Sequence, residues 1–332
     1  MRILKIDSLN PQEEKINEAA NLLKKGEVLL FPTDTVYGIG TFYKNERGLK
    51  RIFNLKKRAE TKPIAILTNN KEEALKMVEA SKEIEEKMKN AWPGAITFLL
   101  KAKIPLSSLL KDSSSRIGLR VPDYPFLLKL LKISGPLAAT SANISGQPAN
   151  SEVKTIDKTI LEEVDLVIDG GETSGKESSV WDFSSQPAKL ARGKVLFVCT
   201  GNSCRSPMAA GLLKKILEDR ENKNIRVDSA GFLFPQGGAT EEAIKVMRKI
   251  GIDLSNHKSK LAKPLLIKNS DLILVMEKTH QERITEMVPQ AAERIFVLNI
   301  PDPIGKPLSF YGETLKEIKQ KIEEIVLRRI IL

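Results

Sequence analysis

The chain has 332 residues, 41% apolar and 29% charged, with 20 Gly and 17 Pro. This is ordinary folded-domain composition of a length that suits two domains, and it excludes disordered, collagen-like and coiled-coil architectures. The net charge of +11 divides into +5 up to Gly193 and +6 beyond, a spread excess that favours polyanions but is also what a solvated Lys-rich surface gives.

In chain order, periodicity predicts a helix over 13–25, closed by Gly26, and a buried strand over 27–31. Helices follow over 44–56 and 71–90, and strands over 63–67, 95–101 and 166–169. Stretches 113–115 and 170–179 are rich in Ser and Gly and read as loops. After Gly193 come a strand over 194–198, a Gly-containing turn and a helix over 206–219. Strands over 271–276 and 295–298 and a last helix over 314–327 complete the chain. The pattern is α/β from end to end, and the second part reads as a doubly wound parallel sheet. The expected domains are 1–193 and 194–332. No apolar run reaches the ~18 residues of a membrane helix, and the first seven residues are too short and too charged for a secretory signal. A cytoplasmic protein with no membrane partner is expected.

Both cysteines fall in Cys199-Thr200-Gly201-Asn202-Ser203-Cys204-Arg205-Ser206-Pro207, between a predicted strand and a predicted helix. Such a turn can aim its backbone N–H groups at a tetrahedral dianion, and the helix N-terminus adds its dipole there. Arg205 can fork two donors onto phosphate oxygens. These fields favour thiolate, so Cys199 is expected to be a nucleophile at neutral pH. Gly201 and Asn202 suit left-handed backbone in the turn. Asp302, on a Pro-rich loop after a strand, is the candidate acid for the leaving atom and then the base for water. A lone buried Cys or an Asp-Pro turn is ordinarily structural; the spacing between strand and helix makes the combination specific.

With Ser229, Gly231, Asp253, Ser255, His257 and Pro303 in their motifs, residues 194–332 resemble a low-molecular-weight protein tyrosine phosphatase. The resemblance implies that Cys199 is the nucleophile, Arg205 the phosphate binder and Asp302 the general acid. Ser206 would bond the thiolate, Ser229 would hold Asn202 in its strained conformation, and no metal is implied. Tyrosine-specific members tend to carry an aliphatic residue before the second loop cysteine and an aromatic one shortly after Asp-Pro. Here Ser203 and Ile304-Gly305 stand at those places. Members resembling protein-arginine phosphatases carry Thr at the first, so both phosphotyrosine and phosphoarginine stay open. Cys199 and Cys204 also read as a redox pair. Arsenate reduction is disfavoured for want of a third cysteine. His257 and His280 read as hydrogen-bonded structural residues, since two Cys and two distant His lack zinc spacing.

In the first part, 170–176 fits most of a phosphate-binding Gly-rich motif, but Glu177 replaces the hydroxyl that would hold Mg²⁺, so this reading is rejected. Polar clusters in loops are better candidates: 31–38, with Thr35; 55–63, with Lys56, Arg58 and Lys62; and 139–146, with Thr140, Ser141 and Asn143. Arg120 alternates with apolar neighbours and is expected to point away from the core, where it could grip a carboxylate.

Together with Trp92-Pro93-Gly94, Ser178-Ser179-Val180 and Arg192-Gly193, these segments resemble the YrdC-like domain of threonylcarbamoyl-AMP synthases, across about residues 5–193. The resemblance implies a twisted mixed sheet with helices and synthesis of L-threonylcarbamoyladenylate and pyrophosphate from threonine, bicarbonate or CO₂, and Mg-ATP. That product serves tRNA modification, so the tRNA threonylcarbamoyl-transfer machinery, and tRNA or double-stranded RNA, are the implied partners. Lys56, Arg58, Lys62, Ser141, Asn143 and Arg192 would bind ATP; Thr35, Arg120, Thr140 and Ser179 would line the threonine end. ATP and threonine enter as substrates, and no resident metal or organic cofactor is expected. The expected whole is a bifunctional fusion of synthase and cysteine-dependent phosphatase. The alternative is an RNA-binding module joined to a redox or regulatory domain.

Overall fold

In the computed structural model, which describes residues 2–233 and 237–332, the chain divides into two compact units, Met1–Gln186 and Pro187–Leu332. Strands of the first unit are β1 (Ile3–Lys5), β2 (Leu29–Phe31), β3 (Gly38–Phe42), β4 (Ala65–Leu67), β5 (Ile96–Lys101), β6 (Arg116–Arg120), β7 (Leu137–Ser141), β8 (Leu166–Asp169) and β9 (Ser179–Asp182). They form a mixed sheet in the order β1-β8-β2-β3-β7-β4-β6-β5-β9. Pairs β1–β8, β2–β8, β4–β6 and β5–β9 are parallel; β2–β3, β3–β7, β4–β7 and β5–β6 are antiparallel.

Both faces of this sheet are covered, which is why its strands read as unbroken apolar runs. Leu29 and Phe31 pack with α1 (Glu13–Lys24) on one face, through Ile16, Ala19 and Leu23. Leu30, between them, packs on the other with Leu49, Ile52 and Phe53 of α2 (Glu46–Leu55). The predicted helix over 71–90 is two: α3 (Lys71–Leu75) and α4 (Lys82–Ala91). Between them Val78 bridges to Ala102, and Glu79 N donates to Lys101 O at 3.0 Å. Pairing with the end of β5 outweighs local helix propensity there, and Ser81 restarts the helix by accepting from Ile84 N. The first unit is completed by α5 (Pro125–Ser134) and α6 (Lys158–Glu163).

The second unit has β10 (Lys189–Cys199), β11 (Ile225–Gly231), β12 (Leu272–Val275) and β13 (Ile295–Val297), all parallel, in the order β11-β10-β12-β13. Neighbours that break chain order mark a doubly wound sheet, and ligand sites of such sheets lie beyond the carboxyl ends of the strands. Leu196, Val198, Ile273 and Val275 line one face with Ile267 of α9 (Pro264–Lys268) and Ile284 of α10 (Lys278–Met287). Helices α7 (Arg205–Asp219), α8 (Glu241–Arg248) and α11 (Leu308–Lys321) complete this unit. Two boundaries differ from expectation. Strand β10 begins before Gly193, because Leu190 N donates to Arg329 O at 2.7 Å and Leu190 bridges to Ile330. The last helix starts at Leu308 rather than near 314, with Pro307 as its N-cap and a π-helical stretch, Ile322–Val326, at its end. Its buried stripe of Tyr311, Thr314, Ile318 and Ile322 shows the helical period, which Gly312 within the helix and Gly305 before it obscure in the sequence.

Candidate functional site

At the carboxyl end of β10 the chain turns through 200–204 into α7, so Cys199 sits on the floor of the turn. Its Sγ lies 3.2 Å from the donating Asn202 N and 3.0 Å from Ser206 Oγ. Asn202 is the left-handed residue of this turn, with φ +53°. Gly201, also expected to be left-handed, is not among the positive-φ residues; a Cβ there would instead lie 3.2 Å from Ser203 Oγ. Asn202 is fixed on every side. Its Nδ2 donates to Ser206 Oγ and Ser229 Oγ, each at 2.9 Å. Its Oδ1 accepts from Lys260 N at 2.9 Å, and its O bonds His257 Nε2 at 2.8 Å and Ser259 Oγ at 2.9 Å. The rest of the loop is pinned by Phe232 N on Thr200 O (2.7 Å) and Thr240 N on Ser203 O (2.8 Å).

Arg205 is fully buried, and its two terminal nitrogens pair with Glu277 and Asp302. Nη1 also donates to Ile300 O at 3.0 Å and Nη2 to Thr200 Oγ1 at 3.3 Å. Burial works against its charge, but the Glu277 hydrogen bond and the Asp302 charge outweigh this and hold the guanidinium above its ordinary value. Asp302 also lies beside the second cysteine, Cys204 Sγ to Oδ1 3.7 Å. Burial, then the Cys199 and Asp302 charges, push the Cys204 thiol up to about 12. Burial lowers His280 below its ordinary value, and Glu277 N donates to its Nδ1. The remaining proton is therefore on Nε2, which donates to Thr200 Oγ1 at 3.0 Å.

The structure thus brings Cys199, Arg205, Ser206 and Asp302 together. Both histidines are hydrogen-bonded, and both bond the loop itself. Sequence reasoning missed Glu277, Lys260 and Ser259. Glu277 follows β12 as Cys199 ends β10 and Asp302 follows β13, so the rule of strand carboxyl ends was the available signal.

The first unit gathers its expected residues into two clusters. Lys56 is 1% exposed, and its Nζ bonds Ser141 O, Asn143 O (2.5 Å) and Asn143 Oδ1 (3.1 Å). Ser141 Oγ donates to the same Oδ1 at 2.5 Å, and Asn143 Nδ2 donates to Gln147 O at 2.6 Å. Burial and then the Arg58 charge push Lys56 down to about 7. Three oxygen acceptors oppose this, because only the ammonium has three protons to give. The second cluster joins Arg120 Nη1 to Thr35 Oγ1 (3.0 Å), Nε to Gly94 O (2.9 Å) and Nη2 to Asp34. Leu119 and Val121 pack into the apolar core, as the alternation requires, but Arg120 is 6% exposed and its carboxylate partner is Asp34. Residues 170–178 form no helix; Ser174 Oγ donates to Asp34 O (2.8 Å) and Thr35 O (3.0 Å), and Tyr37 OH to Gly171 O (2.7 Å). Arg58 donates to Lys62 O (2.7 Å) and Pro63 O (3.0 Å), with Lys62 exposed. Thr140 pairs with Ile39 in the sheet, Ser179 N donates to Ala95 O at 3.0 Å, and Arg192 lies on β10 in the second unit.

Two family models match in succession: one for the Sua5, YciO and YrdC proteins, described as telomere recombination, over residues 21–193, and one for low molecular weight phosphotyrosine protein phosphatases over 194–329. Over 141 residues the chain is 34% identical to the protein-arginine-phosphatase of Bacillus subtilis, covering 40% of this chain and 93% of that one. The chain belongs to both families. Over 184 residues it is 34% identical to the threonylcarbamoyl-AMP synthase of Pyrococcus abyssi, covering 54% of each. The chain spans about half the length of the first synthases it matches. The crystal structure of E. coli YciO superposes with a TM-score of 0.55 at 28% identity, covering 58% of this chain and 95% of that one.

Proposed function

We propose that the chain is a bifunctional enzyme, a threonylcarbamoyl-AMP synthase up to residue 193 and a protein phosphatase from 194, working in the cytoplasm where ATP and tRNA are found. The observation that carries the phosphatase reading is one buried constellation: Cys199 Sγ under an N–H donor and a hydroxyl, with Arg205 tied to the Asp302 carboxylate. Arg205 Nε–H, buried and without a partner among the described residues, is a donor that a phosphate oxygen would satisfy. Cys199 Sγ attacks phosphorus, the bond to the leaving group breaks, and Asp302, protonated once the substrate phosphate takes its place on Arg205, gives that group its proton. Asp302 then takes a proton from the water that attacks the cysteinyl-phosphate, releasing phosphate and restoring the thiolate. Ser206 and the loop N–H groups stabilise the sulfur as it leaves phosphorus.

The substrate we favour is phosphoarginine. Ser203 puts a hydroxyl residue in the loop, exposed aliphatic Ile304 stands near Asp302 in place of an aromatic side chain, and a relative covered over 93% of its length is a protein-arginine-phosphatase.

For the synthase half, the threonine amine combines with CO₂ or bicarbonate, the carbamate oxygen attacks the α-phosphorus of Mg-ATP, and pyrophosphate leaves. Arg58 and Lys62 are the proposed nucleotide contacts, with Lys56 locking Ser141 and Asn143 beside them. Thr35, Arg120, Thr140 and Ser179 would form the threonine end. Tyr37 and Ser174 would steady it through the loop that covers Asp34 and Thr35. The product passes to the tRNA threonylcarbamoyl-transfer machinery. For RNA contact we favour the groove on α2, of about 830 Å³, whose rim carries Arg47, Lys50 and Lys57.

Phosphate release from matched phosphoarginine and phosphotyrosine peptides, with Cys199→Ser as the blank, tests the phosphatase reading. Preference for phosphoarginine is expected. Preference for phosphotyrosine would overturn the substrate assignment, and no Cys199-dependent release from either would overturn the activity.

A further inference from the structure

One side of α7 and the segment 251–260 enclose a cleft of about 570 Å³, within the ~300–1,000 Å³ usual for small-molecule sites. Gly211 keeps its inner wall close and apolar, since a Cβ there would lie 3.1 Å from Ile252 Cγ2 and 3.2 Å from Leu254 Cδ2. Lys214 and Lys258 stand exposed on its rim, and neither has a carboxylate partner among the described residues. The nearby acids are engaged: Asp228 by Lys194 (3.1 Å) and Lys260 (2.5 Å), and Asp253 by Ser255 Oγ (2.8 Å) and Arg248 (3.6 Å). Glu218 also lines the cleft, and Lys215 beside it pairs with Asp219 at 2.8 Å. The Lys260 and Lys214 charges, after burial, depress His257, which marks the inner end as a positive field.

That inner end is made by Ser229 and His257. They hold the Asn202 side chain and carbonyl, and Asn202 is the left-handed residue on which the turn around Cys199 depends. We propose that this cleft is a second ligand site, separate from Cys199, for a small organic phosphate. The apolar wall takes the body, Lys214 and Lys258 take the phosphate, and His257 and Ser229 close the inner end. This goes beyond the proposed phosphatase activity and does not depend on turnover.

The chain has two histidines, which makes the test direct. His257 faces the cleft, whereas His280 holds Thr200 of the loop. The full-length protein, with its loop saturated by orthovanadate, is titrated with AMP while both imidazoles are followed by NMR. AMP held in the first unit meets no histidine and stays silent. A saturable shift of His257 with His280 unmoved is expected, weakened at least tenfold in Lys214→Gln/Lys258→Gln. No His257 shift, a shift at His280 alone, or a His257 shift that the double variant leaves unchanged would overturn the proposal. Cys199-dependent phosphate release, measured separately without AMP, shows whether the phosphatase reading stands and is expected unchanged in the double variant.

Discussion

Lys56 and Gly231 each act by holding a backbone in place. Lys56 Nζ ties three oxygens of the 141–143 turn to the end of α2, and Ser145 N returns a bond to Lys56 O at 2.9 Å. Lys56→Met keeps the apolar stem but leaves one buried and one half-buried carbonyl without the lysine donor. At ~1–3 kcal/mol for each unsatisfied group, it should destabilise the first unit by about 3 kcal/mol, read as a lowered urea midpoint, besides abolishing pyrophosphate release. Loss of activity with no change in stability would make Lys56 a nucleotide contact alone. At Gly231 a Cβ would lie 2.6 Å from Asn202 N, 2.8 Å from Gly201 C and 2.8 Å from Thr200 O. These are backbone atoms of the loop, so Gly231→Ala must displace it. A misplacement of about 1 Å can cost ~10²-fold in rate, and a loss of that order in kcat/KM is expected, with synthase activity kept. Wild-type turnover by this variant would show that the loop yields freely.

Among elements, those held by their own periodicity were the legible ones. The stripe of Ile16, Ala19, Ala20 and Leu23 makes α1 readable within a residue, and the apolar run at 27–31 yields a strand at 29–31. The helix over 71–90 fails because the bridge of Val78 to Ala102 is tertiary, and β10 is longer than its apolar run because Leu190 pairs with the far end of the chain. Between β10 and β11, Asp228 clasps Lys194 and Lys260. Burial raises its pKa, but the hydrogen bonds from Lys260 and Lys194 outweigh that and lower it below 3.8. The fold therefore favours the carboxylate: its stabilisation is present above pH 3.8 and is lost as pH falls through the lower folded value. Asp228→Asn should cost about 1 kcal/mol at pH 7, with the difference from wild type fading at pH 3. Urea midpoints at the two pH values check this; an equal difference at both would show that packing, not charge, is lost.

At the scale of the whole molecule, the two sites differ in how much sequence discloses. The cysteine site is local in its reacting groups: nucleophile, turn and guanidinium lie within 199–206, while the partners of Arg205, Glu277 and Asp302, and the residues that brace Asn202, such as Ser229 and His257, come from afar. The first unit's candidate residues form two clusters drawn from distant segments, Lys56 with Ser141 and Asn143 in one and Arg120 with Thr35 and Gly94 in the other. Spacing says nothing about such pairings, so the loops were legible as loops and their joining was not. Two compact units with separate chemistry imply separable losses. The decisive measurement is therefore a crossed assay on one full-length preparation and its Arg58→Ala and Cys199→Ser variants. It reads pyrophosphate release with threonine, bicarbonate and Mg-ATP, and phosphate release from a phosphoarginine peptide. The account predicts both activities in the wild type, loss of only the first in Arg58→Ala and of only the second in Cys199→Ser. A wild-type protein lacking either activity, or a single variant that loses both, would contradict it.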